Sequence, residues 1–287
     1  MVAIIGIVVL MVAVFGSYIL HGGDMHPIIK AAPLEIMCIL GAGIGGMLVG
    51  NSMDIFKGAM AGMGKVFKGP AYHKEDYLST IFVVSKIMKT LKTEGPVALE
   101  AHIENPESSA IFAEYPKILH DHALLDLVCN TVRLMVVSTS PLSPYAVEDV
   151  MDASIKTHHH DALKPQAALA TLAGALPALG IVACVLGVVK TMAAIDQPPP
   201  VLGGLIGSAL VGTFLGVFLA YGIVGPFAFR LKQVIDEEGE MYKMVQQLIV
   251  ANLHGHPMPL VIEAARVCIS HHNQPSFAEV FDGMRGK

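Results

Sequence analysis

The chain has 287 residues, a formal net charge of −5 and a composition that is 53% hydrophobic but only 15% charged. A soluble domain carries about 25% charged residues, so a mean hydropathy of +0.59 excludes a wholly soluble protein, and it excludes disorder, which needs low hydrophobicity and high charge. The acidic balance leaves no basic surface to neutralise phosphates, which argues against nucleic acid as a partner, and the four cysteines at 38, 129, 184 and 268 form neither a CxxC metal pair nor a secreted disulfide framework.

The apolar residues fall into four runs. Residues 1–20 contain no Asp, Glu, Lys or Arg, and neither do 36–53, 165–189 and 197–229. About 20 such residues cross a hydrocarbon core as a helix, so four spanning helices are predicted. The first run lacks the basic leader and the A-x-A site of a cleaved signal peptide, and a second run follows closely, so it is read as a retained span. The first hairpin is expected to close through 21–35. The second closes through 190–200, where Pro198, Pro199 and Pro200 forbid helix continuation.

The wetter segments also read as helices. Leu78, Ile81, Phe82, Ser85, Met88 and Leu91 recur at helical spacing with Lys86, Lys89 and Lys92 between them. The same period runs through 118–137 and 231–253, with Pro141 and Pro144 as punctuation, and no alternation of period two stands out. The fold class is all-α: a membrane protein of four transmembrane helices in two hairpins, with a large helical cytoplasmic loop and a helical C-terminal tail. The expected divisions are 1–53 and 165–229 for the hairpins, 54–164 for the loop and 230–287 for the tail. Residues 54–164 hold 11 Lys and Arg, the tail holds 6, and only Lys30 and Lys190 lie in the short loops. The excess of positive charge makes the long loop and both termini cytoplasmic.

Several chemical signals weaken in this setting. Gly41, Gly43 and Gly46 satisfy G-x-G-x-x-G, but inside an uncharged run rather than a strand-to-helix turn, so no dinucleotide is expected. Gly46 with Gly50, and Gly212 with Gly216, instead read as small-xxx-small pairs that let helices approach in lipid. His158, His159 and His160 point about 100° apart on a helix and cannot converge on one metal ion, and His120 and His122 fall on different faces. With no nucleophile constellation and no P-loop, an enzyme is not expected. Pro177 and Pro226 each sit inside a span, where proline removes one amide and frees a carbonyl about four residues earlier, those of Ala173 and Gly222. A lone proline is a tolerated kink, but one in each helix of the second hairpin suggests a lining or hinge role. Glu35 falls at the edge of the second span, and polar groups in the third and fourth are few, among them Thr171, Cys184, Thr191, Ser208 and Thr213. A proton path needs a titratable station, so any ion route must take its carboxylate from a partner.

Leu176 to Val189, Val211-Gly-Thr-Phe-Leu-Gly216, Ala220 to Pro226 and Ile103-Glu-Asn-Pro106, with Phe15-Gly-Ser-Tyr and Pro275-Ser-Phe near the ends, resemble the MotA/PomA family of flagellar stator proteins over nearly the whole chain. The resemblance implies an inner-membrane stator of five such chains around two MotB-like one-span partners, whose aspartate carries the ion, and torque delivered to the rotor protein FliG. It places the family's functional prolines on Pro177 and Pro226, a hydroxyl near the ion path on Thr213, and rotor contacts on Lys92, where relatives often carry Arg, and Glu100. Sodium-type relatives carry threonine at Cys184, and a thiol is a poor sodium ligand, so the implied ion is H+ with no cofactor or metal. Without the resemblance, Lys92 and Glu100 read as solvated charges on a helix. An ExbB or TolQ-like energy transducer, whose members usually have three spans, and a membrane scaffold without ion flux are the alternatives.

Overall fold

The computed structural model describes residues 2–138 and 142–285; Pro141, expected to interrupt the middle of the chain, lies outside them. Among the described residues every regular element is helical. Helix α1, Val2–Leu20, contains a π turn at Val12–Gly16, and α2 runs His26–Gly50. Then come α3, Met53–Lys68, α4, Lys74–Thr93, and α5, Pro96–Glu104. Three single turns lead to α6, His122–Val137, followed by α7, Pro144–Met192, and α8, Pro199–Leu253 with a π turn at Leu219–Val224. Two short helices, α9 at Met258–Arg266 and α10 at Phe277–Arg285, end the chain.

Helices α1, α2, α7 and α8 are each long and apolar enough to cross a membrane. The first hairpin closes more tightly than 21–35: α2 starts at His26, ten residues before the uncharged run, because Pro27 suits the first turn of a helix and the Asp24 carboxylate accepts from the His26 amide at 2.9 Å. In the second hairpin the prolines do more than stop α7. Pro198 has φ −54° and ψ 145°, and Pro199 opens α8, where its missing amide has no partner to lose. The His120–His122 segment is no continuous helix either: Asp121 breaks it and caps α6 by accepting from the Leu124 amide at 3.1 Å.

The chain divides into two compact units, Met1–Gly69 with Ala162–Val234, and Pro70–Asp161 with Ile235–Lys287. The second is a helical domain around one core. On α4 the residues Tyr77, Ile81, Val84 and Met88 form a stripe at helical spacing, and Val83 and Ile87 beside it are also buried, so this helix is covered on a wider arc than its lysines suggest. Val128 and Val132 of α6, Met244 and Leu248 of α8 and Val261 of α9 fill the same core. At its edge the Tyr72 hydroxyl donates to Asp121, and burial pushes that hydroxyl well above the usual tyrosine range.

The first unit carries the apolar spans, and its outward residues are apolar: Ile5, Val9, Met37, Val185 and Leu210 are all exposed, as a bilayer or a neighbouring subunit requires. Its internal contacts depend on glycine. A Cβ on Gly216 would stand 2.7 Å from the Leu176 carbonyl oxygen and 2.8 Å from Gly180 Cα. One on Gly180 would stand 2.8 Å from the Gly212 carbonyl oxygen. These neighbours are backbone and cannot rotate away, so α7 and α8 must part to admit a methyl group. Gly46 and Gly50, by contrast, face open space within the chain, and the α2 glycine that meets a neighbour is Gly43, against Leu172. Gly216→Ala should therefore lower stability by about 1–3 kcal/mol, whereas Gly174→Ala, with nothing within 4 Å, should leave it level or slightly raised. Thermal unfolding of the two purified variants checks this, and equal midpoints would show that the crossing does not depend on close approach.

Candidate functional site

The α7–α8 crossing is built on a repeat of small residues. Leu176, Gly180, Ala183 with Cys184, and Gly187 recur at intervals of three and four along one face of α7. Opposite them on the antiparallel α8 stand Gly216, Gly212 and Ala209: a Cβ on Gly187 would meet Ala209 Cβ at 2.6 Å, and one on Gly212 would meet Ala183 Cβ at 3.1 Å and the Cys184 amide nitrogen at 3.2 Å. Of the expected residues, Cys184 meets this seam through its backbone, while Pro177 and Thr213 each stand one position from a seam residue. Pro177 follows Leu176, whose carbonyl touches Gly216, Cys184 adjoins Gly212, and Thr213 is the next residue on α8; all three are half-buried.

Glu35, expected at the edge of the second span, also reaches this crossing. The early start of α2 puts it ten residues into a spanning helix, half-buried, with Oε2 2.6 Å from the position a Gly212 Cβ would occupy. The carboxylate therefore occupies the space that glycine leaves open, beside the Cys184 backbone. Helix α2 thus sets a titratable group against α8, although 165–189 and 197–229 contain no Asp or Glu. Run lengths put it at an edge because a charged residue terminates an uncharged run even where the helix continues past it.

The two prolines are accommodated differently. Helix α7 continues through Pro177, and also through Pro165, whose ring packs on Gly58 of α3. Pro226, exposed and 13 residues beyond Thr213, is not on the seam. It directly follows the π turn Leu219–Val224, in which the Gly225 amide donates to the Ala220 carbonyl five residues back. Only glycine allows this approach, since a Cβ at 225 would sit 2.7 Å from that oxygen. The wider turn relieves the clash between a proline ring and the carbonyl four residues earlier.

Lys92 and Glu100 lie in the other unit, both exposed. Lys92 is in the last turn of α4, where a cation suits the helix dipole. Gly95, at φ +86°, and Pro96 at the start of α5 make the turn between them, and buried Leu99 and Ile103 anchor α5 to the core so that Glu100 faces outward. Close to Glu100 on the same helix is a pair the sequence did not reveal: Arg133 Nε donates to Glu104 at 2.6 Å, which holds that carboxyl below its usual range. The consecutive His158, His159 and His160 turn to three separate partners, the Tyr242 ring, Asp236 and Asp161.

Comparison with known proteins gives a consistent set of likenesses. Residues 4–95 match the family described as Motility protein A N-terminal, and 122–244 match the MotA/TolQ/ExbB proton channel family. Motility protein A of Salmonella typhimurium is 37% identical over 285 residues, 99% of this chain and 95% of the relative. The structure of C. jejuni MotAB aligns with a TM-score of 0.73 at 17% identity, covering 95% of this chain and 97% of that one. The flagellar MotAB stator complex from Bacillus subtilis gives 0.67 at 23%, covering 91% and 92%. At these identities the two structures speak for the fold.

Restoring the amide with Pro226→Ala is expected to let the π turn relax toward regular α-helix, slowing hydrogen exchange across residues 219–226. Unaltered exchange there would show that the proline does not maintain the turn.

Proposed function

Since the chain belongs to the motility protein A family and is a flagellar motor stator subunit, we propose that it couples proton flow across the bacterial inner membrane to torque on the rotor, with a MotB-like one-span partner. The observation that carries this reading is the distribution of carboxylates along the α7–α8 seam. Glu35 stands near Gly212 and Cys184, and the third and fourth apolar runs hold no further Asp or Glu. A proton entering at Glu35 needs a second station to cross, and the partner's carboxylate supplies it. Both structural relatives are MotAB, which supports such a partner. The likeness to motility protein A over 99% of the chain favours the flagellar client over an ExbB or TolQ-like one.

In this reading five copies surround two partner helices. With 17 of 19 Lys and Arg outside the two short loops, both termini and the α3–α6 region face the cytoplasm. The ion is a proton because Cys184 is a poor sodium ligand and hard oxygen ligands are sparse along the seam. Each change of charge on the partner's carboxylate alters packing against Pro177, Cys184 and Thr213, with Pro226 and its π turn as the pliant point of α8. Lys92 and Glu100 then engage the rotor protein FliG. One charge crossing 100 mV releases about 2.3 kcal/mol, whereas one exposed ion pair is worth about 0–1 kcal/mol, so such contacts can break at every step.

Pro177→Ala should abolish swimming while flagella still assemble, and a motile Pro177→Ala strain would remove that proline from the coupling step. Glu35→Gln should slow the motor severalfold at unchanged expression while Glu35→Asp keeps most of its speed; equal speeds for the two would deny Glu35 a place in the proton route. Reversing both Lys92 and Glu100 should reduce stall torque in a bead assay, and wild-type torque would refute the rotor contact.

A further inference from the structure

The first unit contains a groove of about 570 Å3 that the seam does not use, walled by the start of α1, the end of α3 and the stretch of α8 around its π turn. Its lining is divided along its length. Gly6 and Leu10 of α1, Gly222 of α8, and Phe67 and Phe227, whose rings pack edge to face at 5.3 Å, make an apolar bed. Lys68 and Arg230 line the same groove. Lys68 is the last residue of α3, and Arg230 is the first charge after the uncharged run 197–229, at the margin of the membrane-embedded sequence. An apolar bed and two cations in one groove suit an amphiphile with an acyl chain and an anionic head.

Glycine keeps the groove open. A Cβ on Gly6 would meet nothing within 4 Å, while Gly222 lets Leu10 approach α8 so closely that a Cβ there would stand 2.9 Å from it. The volume falls within the roughly 300–1,000 Å3 of small-molecule sites. Arg230 is oriented by donating from Nη1 to Gln233 Oε1 at 3.1 Å, and its planar fork suits a phosphate while the Lys68 ammonium acts as a point charge. Basic pockets beside spanning helices attract anionic headgroups. A zwitterionic lipid would place its own ammonium beside these cations, which favours a net negative headgroup.

We propose that this groove binds an anionic phospholipid of the phosphatidylglycerol or cardiolipin class, its acyl chain lying between α1 and α8 and its phosphate held by Lys68 and Arg230. The leaflet follows from the orientation proposed above; the site depends neither on that orientation nor on the motor reading. The acyl chain would press against Gly222 and Pro226, beside the π turn, so lipid composition would act on the pliant segment of α8.

The test uses the full chain purified with its partner in nanodiscs, doped with phosphatidylglycerol or phosphatidylethanolamine carrying a photoreactive group on the acyl chain. Labelling is expected within residues 2–10, 66–69 and 221–230, and more strongly from phosphatidylglycerol. Lys68→Ala combined with Arg230→Ala should cut that labelling at least tenfold, each charge being worth about fivefold. Gly6→Leu, whose side chain enters open space, should reduce labelling by either lipid without changing the elution volume of the complex. Should the double variant fail to assemble, the lipid preference of the wild-type complex and the Gly6→Leu result still decide. Equal labelling by the two lipids, labelling confined to other residues, or efficient disulfide crosslinking of Gly6→Cys to a second copy of the chain, which would put protein in the groove, would each overturn the proposal.

Discussion

Two helices in lipid gain little from hiding apolar surface from each other, because the surrounding acyl chains are equally apolar. What holds α7 to α8 is the nearness of their backbones, and that nearness exists only because Gly180, Gly212 and Gly216 carry no side chain where the helices cross. Dispersion falls off steeply with distance, so backbone-to-backbone contact is where a membrane crossing becomes specific. The rest of the site is a consequence. With the crossing fixed, the Cys184 backbone stands against Gly212, and the room left at Gly212 is what admits the Glu35 carboxylate of α2.

A seam this close is stiff, and the helix that bears it is not stiff throughout. Less than one turn beyond Gly216 the π turn of α8 begins to exchange the usual bonding register for a five-residue one, with Gly225 admitting the Ala220 carbonyl and Pro226 following Gly225. A further π turn interrupts α1 at Val12–Gly16, where no proline is present, and Phe15 of that turn packs against Phe214 and Phe218 of α8. Irregular turns thus occur in both helices that meet around the start of the π segment of α8, while the crossing of α7 on α8 is regular. The coupling proposed for this subunit needs both: a fixed reference, and a place where a small change in packing can be absorbed or passed on.

The polar helices follow different physics. Their core is an ordinary aqueous one, with Tyr77, Ile81 and Met88 of α4 buried among residues of α6, α8 and α9, and it presents Lys92 and Glu100 on opposite sides of a tight Gly95–Pro96 turn. Exposed charges on a rigid surface bind weakly and release quickly. Weakness suits the rotor contact proposed for them, just as closeness suits a seam that must persist.

Much of this architecture was legible in the chain itself. Four uncharged runs, helical spacing in the wetter segments and lysine and arginine counts specify an all-helical membrane protein, because the hydrocarbon core permits no lipid-exposed strand edge or loop, and the motif order along nearly the whole chain identified its family. Helix ends were less legible: α2 begins at His26 rather than after Glu35, and Asp121 divides what periodicity joins, since a single cap or charge decides an end while periodicity averages over turns. Neither could local pattern say that Gly212 faces a seam and Gly46 open space, as both sit in the same small-xxx-small spacing. Composition and period are properties of a segment and are set by its solvent; which glycine is filled, where Glu35 points and that a groove remains between α1, α3 and α8 are properties of pairs of segments, and only packing in three dimensions brings those pairs into being.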